Sequence, residues 1–175
     1  FAKELQLILR YLGISDADME KGQMRVEANI SIAPKKLFRK SKLGTKVEVK
    51  NINSFRAVGD AIESEIKRQS EMLSRGEKVK QETRGWNENK KDSFSQRSKE
   101  EAHDYRYMPE PDIPPIDLTT DTIDIDTIKR ELPELPAQKR VRFVGEYDFQ
   151  ADSDELERLI KDRGEAEFFE EFVSE

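Results

Sequence analysis

Two alternating segments carry the side chains best placed for chemistry. From Met24 to Ile32, the apolar residues Met24, Val26, Ala28, Ile30 and Ile32 alternate with Arg25, Glu27, Asn29 and Ser31; in Thr45 to Lys50, Val47 and Val49 alternate with Glu48 and Lys50. A period of two is that of a strand with one packed face and one solvated or working face. Paired through the basic segment between them, the two strands would bring Glu27, Asn29, Glu48 and Lys50 onto one polar face. Carboxylates opposed across neighbouring strands suit Mg²⁺, whose octahedron is commonly completed by substrate phosphates, so Glu27 and Glu48 are candidate metal ligands. Lys50 can neutralise a phosphate as a point charge, and Arg84 or Arg97 can do so bidentately. The plainer account of the same residues is a pair of solvated strand carboxylates, an ion pair to Lys50 and two surface arginines.

The residues after the second strand, Asn51, Asn53 and Ser54 in NINSF, serve two ends. Asn53 or Ser54 suits the N-cap of the helical pattern that follows. A capped helix N-terminus beside Glu48 and Lys50 is also where free N–H groups stabilise a phosphate or carboxylate. Further along, RSKEEAHDYRYMPEPD (residues 97–112) surrounds the only histidine of the chain with ionisable groups. Ser98 to Glu101 reads as a capping sequence for one helical turn. His103, Asp104, Tyr105, Arg106 and Tyr107 then set a general base, an anion, two phenols and a guanidinium directly before PEPDIPP. A lone histidine is commonly structural, but a proline-fixed backbone around so many ionisable groups favours a preorganised site over a solvated face.

The elements that must position these groups follow from periodicity. Leu5, Leu7, Ile8, Leu9 and Leu12 predict a helix over residues 1–13, closed by Gly13. Phe55, Val58, Ile62, Ile66, Gln69 and Leu73 predict a second helix, about six turns long, ending at Gly76. Residues 78–86 and 93–97 predict an antiparallel hairpin around NENKKD. Beyond Leu118, DIDTIKREL, PAQKRVRFVGEY, SDELERLIKD and EAEFFEEFV read as short amphipathic helices, divided by Pro, Asp, Ser or Gly. The expected fold class is α+β, with an antiparallel-sheet domain over residues 1–118 and the start of an all-α domain over 119–175.

Charge divides the chain at the same place. The 175 residues carry a net charge of −6, but residues 1–118 hold 23 Lys and Arg against 20 Asp and Glu, whereas residues 119–175 hold 8 against 17. The mildly basic part is compatible with nucleotide or nucleic-acid contact, though it lacks the basic stripe of a dedicated nucleic-acid binder. With no cysteine in the chain, disulfides and thiolate metal sites are excluded, and a metal must be held by oxygen or by His103. No apolar run approaches the roughly 20 residues that span a bilayer, and no signal-peptide pattern is present, so no membrane partner and a cytoplasmic setting are expected. The start at Phe1 and the end on an amphipathic stretch point to a piece of a longer protein.

The strings VEVKNINSFRAV, QETRGW, RSKEEAHDYRYMPEPDIPP and ELPELPAQKRVRFVGEY, in that order, resemble the B-subunit family of tRNA-dependent amidotransferases (aspartyl/glutamyl-tRNA(Asn/Gln) amidotransferase, GatB) over essentially the whole chain. The resemblance implies a glutamine synthetase-like cradle followed by a helical domain. It also implies an activity: the misacylated acceptor end of Glu-tRNA(Gln) or Asp-tRNA(Asn) is bound, its side-chain carboxylate is phosphorylated with ATP and Mg²⁺, and ammonia from a glutaminase A subunit amidates it, in a complex that includes a small C subunit. A carboxylate is a poor electrophile, and an acyl phosphate supplies the leaving group that ammonia displaces while metal and cations offset the charge.

Carried onto this chain, the resemblance makes Glu27 and Glu48 metal ligands and Lys50, Arg97, His103 and Asp104 catalytic. Asn51, Asn53, Ser54, Arg84, Lys99, Tyr105 and Arg106 become substrate- and ATP-binding residues. The family commonly has Asp-Ala-Asn where this chain has Glu27-Ala28-Asn29, one methylene longer, and Arg-Pro where it has Ala33-Pro34. It also has an N-terminal half, with a Glu-Ile-His strand, a cysteine-rich zinc region and a Glu-Asp pair, that is missing here, so this polypeptide alone is expected to be inactive. A non-catalytic tRNA-binding or assembly module on the same scaffold, or a core with no independent role, are the competing readings.

Overall fold

A computed structural model of the chain describes residues 1–34, 43–98, 108–116 and 124–174. Strands β1 (Val26–Ile30) and β2 (Val47–Ile52) form on the two alternating segments and pair antiparallel, with Asn29 opposite Glu48 and Ala28 opposite Val49. Their apolar residues turn one way: Ala28, Ile30, Val49 and Ile52 are buried in one cluster with Trp86. Toward the end of β2 the register slips, so that Val26 faces Ile52 and β2 holds one extra residue. Asn51 lies there with φ at 61°. This is a β-bulge, built on a residue type that tolerates the left-handed region, and it bends the strand where the polar face ends. At the other end of the pair, a Cβ on Gly44 would lie 1.9 Å from the Ile32 carbonyl oxygen, so only glycine permits this approach of the two backbones.

Helix α2 (Phe55–Ser74) begins at Ser54, whose hydroxyl accepts a hydrogen bond from the Ala57 N–H at 3.1 Å. Ala57 and Ala61 are buried against the sheet, with Val58 and Ile62 packed beside them. Twenty helical residues rise about 30 Å, enough to carry the chain back along the sheet. Strand β3 (Glu82–Asn87) consequently runs parallel to β2, with Glu48 opposite Thr83 and Lys50 opposite Gly85. Strand β4 (Asp92–Ser98) returns as the expected hairpin, with Gly85 opposite Phe94 and Thr83 opposite Arg97. The order is β1-β2-β3-β4. The class is α+β as expected, but the sheet is mixed rather than antiparallel, because the long helix between β2 and β3 is a crossover and not a turn.

The helix-facing side of the sheet also holds charge. Glu65 is fully buried on α2, yet it accepts two hydrogen bonds from Arg68, at 2.9 and 2.7 Å, and one from the Gln69 amide at 2.8 Å. Gln69 in turn donates to the Ile30 carbonyl and accepts from the Ile32 N–H, at 3.2 and 3.1 Å, which pins the helix to the end of β1. A buried carboxylate satisfied in this way escapes most of the penalty for leaving water.

By contacts, the described residues of 18–106 make one unit, and those of 3–17 and 107–175 make another. The second contains α1 (Ala2–Tyr11), α3 (Ile125–Glu131), α4 (Pro136–Glu146), α5 (Asp154–Lys161) and α6 (Arg163–Ser174). Its core is Phe143, Leu156, Ile160 and Ala166, with Leu7, Tyr147, Phe149 and Phe169 packed around them. Helix α1, expected with the sheet, packs here instead. The Tyr11 hydroxyl donates to the Ile160 carbonyl at 2.8 Å, and Glu4 pairs with Arg140 at 2.8 Å. Burial pushes the Tyr11 phenol up to about 12, so it remains a donor at any ordinary pH. The apolar stripe of α1 is satisfied by whichever surface it meets, and proximity in the chain does not choose that surface. Among the described residues, no helix is long and apolar enough to cross a membrane.

Candidate functional site

The polar face of the sheet unit brings the two candidate metal ligands together. Lys50 Nζ lies 3.1 Å from Glu27 Oε1 and 3.8 Å from Glu48 Oε1. The spacing of two in β2 sends Glu48 and Lys50 to one side, and the antiparallel register with β1 brings Glu27 to Lys50. The parallel register adds a residue that periodicity within one strand does not reveal: Thr83, buried, donates its hydroxyl to Glu48 Oε2 at 3.0 Å. Glu48 is thus oriented from two sides, with 13% of its side chain exposed, while Glu27 keeps 42% of its side chain in solvent.

An open cleft of about 500 Å³ adjoins this cluster, lined by Glu27, Lys50, Asn51 and Asn53 together with Glu20 and Arg25. The loop before β1 makes the far wall. Asp18 shapes that loop by accepting from the backbone N–H groups of Glu20 and Lys21, at 2.8 and 3.3 Å. Ser54 spends its hydroxyl on the α2 cap. The donor chemistry is of the kind Mg²⁺ takes: Glu27 and Glu48 offer hard carboxylate oxygens on one face, 3.1 and 3.8 Å from the Lys50 ammonium. Among the described residues, no three His, Cys, Asp or Glu side chains cluster to hold a metal. Two carboxylates are what a protein commonly supplies to Mg²⁺ when substrate phosphates complete the shell.

Residues 1–124 match the family model described as the GatB/GatE catalytic domain. This chain belongs to that family. Among curated proteins it is similar to the B subunit of the aspartyl/glutamyl-tRNA(Asn/Gln) amidotransferase of Persephonella marina, 49% identical over 99% of this chain and 35% of that relative. The proteins of the same name from Gloeothece citriformis and Thermodesulfovibrio yellowstonii are 47% and 46% identical, again over 99% of this chain and 34% and 35% of theirs. The chain spans about a third of the length of these relatives.

In this GatB/GatE-family chain the remaining predicted site residues fall in three places. Arg84 is not brought to Lys50. It alternates with Thr83 and therefore projects to the α2 side, where it donates to Ser93 Oγ and Glu82 at 2.8 Å each and lies 3.8 Å from buried Glu65. Burial pushes the Glu82 carboxyl up, but hydrogen bonds from Ser95 and Arg84 and the charges of Arg84 and Arg68 outweigh it and hold the group below its usual range. Arg97 is placed by backbone register opposite Thr83. Lys99, His103, Asp104, Tyr105 and Arg106 lie outside the described residues. Periodicity places Arg25 on the polar side of the first strand without marking it as a cleft residue, and it does not single out Thr83. Thr83 had a signal in its alternation with Arg84, but choosing between them needs the register to β2.

Proposed function

We propose that this chain is part of the B subunit of a tRNA-dependent amidotransferase and supplies part of the face on which the side-chain carboxylate of Glu-tRNA(Gln) or Asp-tRNA(Asn) is activated and amidated. The observation that carries this reading is the meeting of Glu27, Glu48 and Lys50 on one face of the sheet beside an open cleft. Membership of the GatB/GatE family and the names of its relatives support it. Bound ATP and Mg²⁺ would supply the phosphoryl group that gives the carboxylate a leaving group, and Glu27 and Glu48 are the residues that would hold the metal.

Lys50 offers an ammonium to an anionic oxygen, and Thr83 holds Glu48 in one orientation. Asn51 and Asn53 present amide groups to whatever enters the cleft. Such chemistry depends mainly on placing charges where charge develops, which a rigid sheet does well. Arg97, His103 and Asp104 remain proposed catalytic residues, with Lys99, Tyr105 and Arg106 as proposed binding residues. A glutaminase A subunit delivering ammonia and a small C subunit complete the proposed complex, which works in the cytoplasm.

The test is ATP-dependent amidation of Glu-tRNA(Gln) by the complete complex. Glu48→Gln and Lys50→Met should each lower the rate on the order of 10²-fold with tRNA binding retained, while the isolated 175-residue chain is inactive. Wild-type rates in both variants would remove the reading. A complete complex that binds tRNA and never turns over would replace it with a non-catalytic tRNA-binding module.

A further inference from the structure

Phe94 is 48% exposed on a face otherwise marked by Lys50, Glu48 and Thr83. Lys50 is opposite Gly85 and Gly85 is opposite Phe94, so the three form one row across β2, β3 and β4. A Cβ added to Gly85 would lie 2.6 Å from Phe94 Cζ and 2.7 Å from Gln96 Nε2. The tip of the ring therefore lies down on the glycine backbone and reaches back toward β2. Two strand spacings, about 10 Å, separate the Lys50 and Phe94 backbones. That is about the reach of a nucleoside triphosphate from its base to its outer phosphates.

We propose that Phe94 is a stacking platform for a purine base whose phosphate end is directed to Lys50, and that Gly85 is glycine so that the ring can lie across it. An aromatic face accepts any base by stacking, and the Lys50 ammonium, 3.1 Å from Glu27 of β1, supplies the matching charge for a phosphate at the far end of the row. The inference rests on the proposed function of this face and names a subsite within it. Adenine could come from two sources, ATP or the terminal adenosine of the tRNA acceptor end. A purely structural role, an apolar cover over a glycine, needs hydrophobic area but no π-face, and this distinguishes the two.

The experiment measures dissociation constants of ADP with Mg²⁺ and of deacylated tRNA by equilibrium titration of the complete complex, with the melting temperature recorded alongside. Phe94→Leu and Phe94→Met keep the apolar cover; Phe94→Tyr keeps the π-face. The leucine and methionine variants should weaken one of the two ligands about tenfold at unchanged melting temperature, and the tyrosine variant should stay within about twofold of wild type. The ligand that weakens identifies the source of the base. Unchanged affinities for both ligands in the leucine and methionine variants would overturn the platform, as would an equal loss in the tyrosine variant. Lys50→Met separates this from the underlying reading. If it weakens binding while Phe94→Leu does not, only the platform falls; if Lys50→Met also leaves both affinities and turnover unchanged, the nucleotide reading of the face falls too.

Discussion

The sheet unit and the helical unit both build clusters from Glu and basic residues, to different ends. In the helical unit Arg142 donates to both oxygens of Glu134, at 2.8 Å each, to Glu146 at 2.9 Å, and it also pairs with Glu170. Lys139, almost fully buried, reaches Glu170 at 2.9 Å and stands 5.6 Å over the Phe143 ring. On the sheet face one ammonium lies between Glu27 and Glu48, within hydrogen-bonding range of the first only. Geometry tells the two clusters apart. A guanidinium fork locks its carboxylates in a fixed plane, whereas an ammonium is a point charge that another cation can replace. The first arrangement holds three carboxylates on a shared guanidinium, and the second leaves Glu27 42% exposed at the open cleft.

That contrast can be broken by exchanging the losses. Lys50→Met should cost the complete complex on the order of 10² in amidation rate with little change in melting temperature; Arg142→Met should do the reverse. The expected destabilisation for Arg142→Met is about 1–3 kcal/mol by denaturant titration, since three carboxylates lose a shared partner. A Lys50 variant that unfolds, or an Arg142 variant that is stable and inactive, would erase the distinction.

Acid sharpens the same comparison. Hydrogen bonding to Arg142 holds both Glu134 and Glu170 below the ordinary carboxyl value of 4.5. Groups with depressed folded values contribute stability that is fully present above about pH 4.5 and is lost as pH falls through the lower folded value. The wild-type chain should therefore lose stability on acidification below that point, and Arg142→Met should flatten this limb in a melting-temperature series.

Smaller effects probe the sheet face itself. Thr83→Val removes the donor to Glu48 Oε2 and should lower the amidation rate about tenfold, with Thr83→Ser restoring it. Loss in the serine variant as well would make Thr83 a packing residue. At the bulge, Asn51→Val should destabilise the sheet unit by about 1–2 kcal/mol because a β-branched residue resists positive φ, while Asn51→Gly should fold normally. Equal stability of the two variants would place the bend of β2 elsewhere.

Much of this architecture was legible residue by residue. Alternation at Met24–Ile32 and Thr45–Lys50 located both strands and the shared polar face of Glu27, Glu48 and Lys50. Asn53 or Ser54 announced the start of α2, the structure choosing Ser54 as the cap, and NENKKD announced the β3–β4 turn. Arg84 shows where legibility ended. Its charge recommended it for phosphate binding, but a strand sends neighbours to opposite faces, and Thr83 holds the side toward Glu48. Which neighbour faces the cluster depends on how β3 registers with β2, across a helix of 20 residues. Phe94 carried no local sign at all, because its meaning comes from Gly85 beneath it and Lys50 one strand further on.

By itself the amino-acid order determined the elements and the side each residue takes within its own strand or helix, since those follow from backbone stereochemistry acting over a few residues. Only tertiary structure decided the parallel pairing of β2 with β3, the partner of α1, and the meeting of Thr83 with Glu48 and of Gly85 with Phe94. These depend on packing between segments far apart in the chain, where apolar faces accept more than one partner and the arrangement that buries them together selects the register.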